Sequence, residues 1–474
     1  MSTRNLIFIQ IFLIALQGRA ALTRLIQEFV KDKNAIFFAA REATAQNNLV
    51  GLSRAIYDDS GAPVFSDFDL ALEAIFKKAR NERLVFVIDE YPYLAESYRG
   101  ISSYLQHKID HNRNDTKIMI ILCGSSMSFM EHQVLGYKSP LYGRRTAQFK
   151  IQPFVFFDSL PFFAGFDNPT DKATLYAITG GVPEYLIKIN AAKSAQQNII
   201  DLFFRADGLF YEEPGNLLKQ ELREPATYNT IIEAIAGGAS KLNEIATKSH
   251  IETSKCSKYL SSLIALGLVE KQKPYNERMS KRSIYRLNDQ IFRFWYRFVF
   301  PNKSVIELNQ GEALFNNTIK KRMDAFMGFA FEEICKQWLY RQMADGQTLF
   351  FPTGFGRWWG TNPKTKTQEE IDIIALGDER SEGIFAECKW SDNLLGESIY
   401  HELKRKSEIF PHTHKQYYIF AKTGFDKNFT SSKGIHLVSL VQMFGGYGVD
   451  WAYYFKAKMP LDNFALLGNF KEFG

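Results

Sequence analysis

Between residues 35 and 126, short uninterrupted apolar runs alternate with longer stretches in which apolar residues return every third or fourth position. The runs Ala35 to Ala39, "LVFVIDE" (84–90) and "KIMIILCGSS" (117–126) read as buried strands. The stretches near Phe68 to Ala79 and Ile101 to Ile109 read as amphipathic helices. Strands that are apolar throughout are covered on both faces, so residues 1–171 are expected to form an α/β core around a parallel sheet. Residues 172–224, containing "TGGVPEYL", are mostly helical and form a lid. Three short helical patterns then lead into the basic, turn-rich "EKQKPYNERMSKRSIYRL", which predicts a winged helix-turn-helix over 225–300. Residues 301–322 read as a linker. Over 323–474 a helix from Met323 to Met343, the strands "EEIDIIAL", "GIFAECKW", "QYYIFAK" and "GIHLVSL", and a helix from Glu397 to Phe410 predict a second α/β unit.

Composition narrows the classes. A chain of 474 residues is long enough for about three domains, and 46% hydrophobic against 23% charged content excludes a disordered chain. The net charge of +6 permits an anionic partner without requiring one. Four cysteines with no C-x-x-C spacing point neither to a zinc site nor to a disulfide framework, which fits a cytoplasmic protein. The apolar run Leu6 to Leu16 has the outline of a signal peptide and is short for a membrane span. A buried strand is the better reading because an α/β core follows it, and no membrane partner is expected.

Candidate chemistry begins in "LVFVIDEYPYL", where an apolar strand runs into Asp89 and Glu90 in the form of a Walker B strand. At the exposed end of a central strand such an Asp holds the Mg²⁺ shell and the following Glu orients the attacking water. "IILCGSS" ends a second buried strand in small polar residues, with Ser125 placed to sense a γ-phosphate. "SPLYGRR" offers Arg144 and Arg145 as an arginine finger. In their order, "FVIDEYPYLAES", "LCGSSMSFME", "SPLYGRRTAQFKIQPF" and "GGVPEYL" resemble the archaeal and bacterial P-loop ATPases, related to the AAA and STAND groups, that carry a winged helix and a restriction-endonuclease-like C-terminal domain. The resemblance runs from about Leu25 to the C-terminus. It implies ATP and Mg²⁺ as cofactors, Asp89 and Glu90 as the Walker B pair, Ser125 as sensor and Arg144 or Arg145 as finger. Gly181 and Pro183 of the lid are implied to lie against the nucleotide.

The phosphate loop is atypical. "TRLIQEF" resembles the helix that follows the family's G-x-x-x-x-G-K-[ST] loop, with Thr23 at the hydroxyl position, but Leu22 stands in the lysine's place and Ala21 in the second glycine's. Leucine carries no charge for the β/γ-phosphates, and alanine resists the positive φ that glycine accepts. The departure is abrupt before residue 25 while later motifs are intact. A frameshifted or mis-assigned start accounts for this better than drift in a natural pseudo-ATPase, and weak ATP binding without turnover is a third reading.

Two further constellations follow. In "ETSKCSKYLSSLIALGLVEK" the apolar positions leave Ser254, Lys255 and Lys258 on the half of a recognition helix that enters the major groove. Lys281 and Arg282 of the wing can meet phosphates. DNA is therefore an expected partner, although winged helices also dock proteins. In the last unit, Asp372 and the pair Glu387 and Lys389 stand at D-x₁₄-E-x-K spacing, with alternation directing Glu387 and Lys389 to one face and Cys388 to the other. Two carboxylates on Mg²⁺ beside a lysine suit phosphodiester hydrolysis. The pattern resembles the PD-(D/E)XK nucleases, and Glu332, on the preceding helix, is the fourth site residue and a candidate metal ligand with Asp89, Asp372 and Glu387. The sequence thus predicts a DNA-associated ATP-binding switch or ATPase, homo-oligomerisation being left open, with a nuclease-like effector. The alternatives are a pseudo-ATPase scaffold and a Mg²⁺-dependent nuclease that needs no nucleotide.

Overall fold

The computed structural model describes residues 10–16, 19–61, 63–113, 115–124, 129–130, 134, 136–275, 282–348, 350–352, 354–377 and 381–444. Its contacts divide the chain into two compact units, one reaching to Pro153 and including Val182–Glu184, the other comprising Phe154–Gly181 and the chain from Tyr185 onward.

The first unit is a five-stranded parallel sheet in the order β2-β3-β4-β1-β5. Its strands are β1 (Gln10–Leu16), β2 (Ala35–Ala39), β3 (Leu84–Asp89), β4 (Ile118–Gly124) and β5 (Ala147–Ile151). Every residue of β3 and β4 is buried, as uninterrupted apolar runs require when helices cover both faces. The helices are α1 (Arg19–Val30), α2 (Ala45–Tyr57), α3 (Phe68–Asn81), α4 (Tyr91–Ser97) and α5 (Ile101–His111). Leu72, Ile75 and Phe76 of α3 and Leu105 of α5 pack on Phe86 and Ile88 of β3. The β1 backbone lies between β4 and β5 in parallel register, Gln10 opposite Met119 and Leu16 opposite Ile151. A strand is therefore present over Gln10–Leu16, within the apolar run read as one. Ligands of such sheets bind beyond the carboxyl ends of the strands, where β1 passes into α1 and β3 into α4.

The second unit opens with helices α6 (Pro169–Thr179), α7 (Ala195–Phe203) and α8 (Glu213–Glu221). Next come α9 (Pro225–Ala236), α10 (Leu242–Ser249) and α11 (Thr253–Ala265), followed by the antiparallel pair β6 (Val269–Gln272) and β7 (Ile284–Leu287). Helix α12 (Gln290–Phe294) continues as a π-helix over Trp295–Val299. The segment read as a linker, 301–322, is instead helical at Lys303–Glu307, Gly311–Leu314 and Phe315–Ile319. It is packed rather than spanning: Ile306, Phe315 and Ile319 are buried, and a Cβ on Gly311 would lie 1.7 Å from the carbonyl oxygen of Phe204.

Helix α13 (Met323–Ala344) leads to a mixed sheet in the order β12-β11-β10-β9-β8. The strands are β8 (Gly354–Thr361), β9 (Gln368–Leu376), β10 (Glu382–Lys389), β11 (His414–Ala421) and β12 (Ile435–Ser439), with α14 (Ser398–Ser407) between β10 and β11. The period of two sorts its faces. Tyr418 and Phe420 meet Trp338 of α13, while Tyr417 and Ile419 share a core with Leu403 of α14.

Candidate functional sites

In the first unit helix α1 and strand β3 are joined by a hydrogen bond. Thr23 Oγ1 donates to Asp89 Oδ2 at 2.7 Å. Asp89 is buried, and its other oxygen accepts from the Glu90 backbone N–H at 3.1 Å and from Cys123 Sγ at 3.2 Å. Burial, with the Asp89 carboxylate beside it, pushes the Cys123 thiol well above the ordinary thiol range, so it stays a neutral donor. Glu90 caps α4 in the left-handed region (φ 51, ψ 46), a conformation that costs a non-glycine residue about 1 kcal/mol or more and that clusters at functional sites. Gly124, at the end of β4, is required by packing, since a Cβ there would lie 2.5 Å from Pro92 Cδ.

Leu22, in the lysine's place, is only 2% exposed and forms a stripe with the buried Ile26 and Phe29 at i+4 and i+7. It is a core residue of α1. Arg144 is held by Asp110 through Nε–Oδ1 at 2.8 Å and Nη2–Oδ2 at 2.7 Å, and it also donates to the Pro140 carbonyl. Arg145 is exposed. Ser125 lies outside the described residues. Gly181 meets its own neighbour, Phe154: its carbonyl accepts from Phe154 N at 2.8 Å, and a Cβ would stand 1.7 Å from the Phe154 oxygen. Pro183 opens a single helical turn, Pro183–Leu186.

In the second unit β9 and β10 are antiparallel with Ala386 opposite Ile373, and Asp372 and Glu387 stand next along each strand. Asp372 sits at an irregularity: β9 advances from Ile371 to Ile374 while β8 advances only from Trp358 back to Gly356. Such bulges re-aim side chains. The Asp372 carboxylate thereby accepts from the Cys388 backbone N–H at 2.9 Å. Burial first, then the Glu387 charge, push the Asp372 carboxyl up to about 6. Glu387 Oε1 accepts from Lys389 Nζ at 2.7 Å, while its buried Oε2 has no hydrogen bond and faces Lys406 Nζ at 3.5 Å. Burial lowers the Lys389 ammonium, but the Glu387 charge and hydrogen bond outweigh it and the net direction is up.

Glu332 of α13 is paired with Arg357 of β8 at 2.9 Å, and Arg357 also grips Glu370 at 2.7 Å. Burial, followed by the charge of Asp372, raises the Glu332 carboxyl to about 8. Among the described residues no three His, Cys, Asp or Glu side chains converge closely enough to enclose a metal. The donor set that would fit Mg²⁺ is the Asp372 and Glu387 pair, because Mg²⁺ takes one or two carboxylates and keeps several waters. Lys406 and Arg357 were not singled out by sequence reasoning. Lys406 carried one signal, its place three residues after the buried Leu403 on α14.

The expected DNA-contacting residues Ser254, Lys255 and Lys258 are exposed on the first turns of α11, Ser254 donating to Glu252 at 2.6 Å. Lys281 lies outside the described residues. Arg282 is drawn to β8: its Nη1 donates to the Trp359 carbonyl at 3.4 Å, and Trp359 Nε1 donates back to the Arg282 carbonyl at 3.2 Å. Tyr275 completes this seam, its N–H on the Arg357 carbonyl and its hydroxyl on that of Gly354.

A family model of an ATPase domain predominantly from Archaea matches residues 3–189, so the atypical stretch before residue 25 lies within the match. A second model, of archaeal and bacterial proteins of unknown function, matches residues 295–406. An uncharacterized protein of Methanocaldococcus jannaschii is 33% identical over 403 residues, which is 84% of this chain and 87% of that protein. The chain belongs to this archaeal ATPase-domain family. A second M. jannaschii protein, also uncharacterized, is 35% identical over 83 residues, 17% of this chain and 81% of that one. Among solved structures, the Walker-type ATPase of Pyrococcus abyssi is similar at 17% identity, 60% of this chain and 91% of that one, with a TM-score of 0.48. The Aeropyrum pernix ORC1 protein in complex with DNA is similar at 16% identity, 62% and 88% coverage, with a TM-score of 0.31. In the family's ATPase region the parallel sheet and the Thr23–Asp89 contact are both present. No helix among the described residues is long and apolar enough to cross a membrane.

Proposed function

We propose that this protein is a DNA-associated, nucleotide-responsive member of its family whose second unit is a Mg²⁺-dependent phosphodiesterase of the PD-(D/E)XK type. The observation that carries the reading is the buried Glu387 carboxylate beside Asp372, with Lys389 on one oxygen and Lys406 at 3.5 Å from the other. Two neighbouring buried carboxylates need positive charge beside them, which the two lysines and a bound cation together can supply. A bound Mg²⁺ would polarise a phosphate and acidify a water. Asp372 and Glu387 would hold the ion, Lys389 would neutralise phosphate charge, and Lys406 would hold the Glu387 carboxylate in place. Helix α11 with β6 and β7 serves as a winged helix, Lys255 and Lys258 meeting the DNA backbone.

In the first unit Asp89 and Thr23 hold the Mg²⁺ of a bound ATP and Glu90 faces the water. Ser125, Arg145 or Arg144, and the Gly181 to Pro183 segment supply the remaining contacts. A nucleotide-independent nuclease is the second reading, favoured by Leu22, whose burial takes the lysine position out of phosphate chemistry. The test is incubation of the full chain with Mg²⁺ and plasmid, duplex or single-stranded DNA, with and without ATP. Mg²⁺-dependent cleavage that is lost in Asp372→Ala is expected. Failure to cut any DNA form counts against the phosphodiesterase and leaves a binding scaffold. Cleavage indifferent to ATP selects the second reading.

A further inference from the structure

Bordering the acidic site through Glu332 and Arg357, the second unit contains a cavity of about 490 Å³, within the size range of small-molecule sites. It is bounded by the turn after α9, strand β7, the α12 region and the start of α13. Four arginines line it, Arg286, Arg293, Arg297 and Arg357, against one carboxylate, Glu332. Arg357 is already satisfied by Glu332 and Glu370, which leaves three guanidinium groups with no ion pair among the described residues.

Arg293 is the most demanding of these. Its Nε, Nη1 and Nη2 are all sealed from solvent with no hydrogen-bond partner. Its guanidinium lies 4.4 Å from the centre of the Phe326 ring and 4.7 Å from that of Phe329, which Arg286 shares at 5.1 Å. Ring faces offset only part of the cost of burying a cation. Burial lowers the Arg293 guanidinium to about 9, so it is still charged at neutral pH. Arg297 is exposed and Arg286 half-buried, so of the three only Arg293 carries a buried charge without a hydrogen-bond partner, and together they leave the cavity positively charged.

We propose that this cavity binds a phosphate monoester dianion, held by Arg286 and Arg297 with the buried charge of Arg293 behind them, and with the attached organic group lying along the Phe326 and Phe329 side. Guanidinium forks match phosphate oxygens with two donors each, and two of them backed by a third charge suit a doubly charged terminal phosphate better than a singly charged diester. The phosphate can come from a free mononucleotide or from the 5′ end of a nucleic acid strand. The cavity shares Glu332 with the acidic site, but its arginines would hold an anion whether or not Asp372, Glu387 and Lys389 cut DNA.

The experiment is calorimetric titration of the full-length chain at fixed ionic strength with inorganic phosphate, AMP and adenosine. Phosphate and AMP are expected to bind and adenosine is not. The double variant Arg286→Gln, Arg297→Gln should weaken phosphate and AMP by about tenfold or more, since each lost contact is charge-assisted. Arg293→Met, which removes a buried unpaired charge, should fold with an unchanged or higher thermal midpoint yet lose the rise in midpoint that phosphate gives the native chain. Tighter binding of a 5′-phosphorylated oligonucleotide than of AMP assigns the dianion to a strand end, and the reverse assigns it to a free nucleotide. Adenosine binding as well as AMP overturns the proposal. So does phosphate binding that survives in the arginine variants and disappears in Thr23→Ala, which would locate the anion in the first unit.

Discussion

Thr23 and Asp89 are joined by a 2.7 Å hydrogen bond although the residue between Ala21 and Thr23 is a buried leucine. On the proposed reading these two residues would face the metal of a nucleotide, while Leu22 supplies no charge for its phosphates. Tight Mg–ATP binding is not expected of this chain. Rebuilding residues 16–22 as a complete glycine and lysine loop should restore it in calorimetry, at a stability cost of about 2 kcal/mol from removing Leu22 from the core. A rebuilt chain that folds and still fails to bind would reject Asp89 and Glu90 as a Walker B pair.

Lys406 is expected to matter to the acidic site even though it lies on a helix remote in sequence. Lys406→Met preserves the packing against Leu403 and removes the charge beside Glu387. DNA cleavage should fall by about tenfold or more, while Asp372→Ala abolishes it. If Lys406→Met cuts at the native rate, Glu387 needs no support from α14.

The basic residues of α11 and of the wing should separate in a salt titration. Lys255→Ala and Lys258→Ala should each lower the slope of log affinity against log salt by about one, because both are exposed and free to meet phosphates. Arg282→Ala should leave that slope nearly unchanged and instead lower the unfolding midpoint, because its guanidinium is committed to the Trp359 carbonyl. The opposite ranking would mean that the wing leaves β8 on binding.

Asp289 caps α12 by accepting from Phe292 N at 3.1 Å, and burial raises its carboxyl to about 6. The native state thus holds this proton more tightly than the unfolded chain, whose aspartate titrates near about 3.9. Its stabilising contribution is complete below that value and is lost as pH rises through about 6. Asp289→Asn, which can still cap, should flatten the fall in denaturant midpoint between pH 4 and pH 7. An unchanged pH profile would show that the carboxyl is not displaced.

How much of this was legible beforehand depended on burial. β3 and β4 were readable because both faces are covered and nothing polar interrupts them. β5 and β8 were not, since both are edge strands: β5 alternates with exposed Gln148 and Lys150, and β8 carries three glycines. The 301–322 segment looked like a connector because its buried Ile306, Phe315 and Ile319 are diluted by Asn, Gln and Lys. Asp372, Glu387 and Lys389 were found by spacing, and the opposite face of Cys388 by alternation. The bulge beside Asp372 could not be foreseen, nor could the ion pairs of Arg357 and Lys406, because each joins elements distant in the chain.

The seam of Tyr275 and Arg282 along β8 has a consequence for solubility. β8 is the last strand of its sheet, and a bare last strand is a template on which another copy can add its own backbone. Tyr275 occupies two of those backbone acceptors, and its ring lies where Gly356 has no side chain. A fragment starting near α13 would carry this strand uncovered. It should self-associate into β-rich aggregates where the longer chain stays dispersed, so the hairpin before α12 acts as a chaperone held in the same molecule.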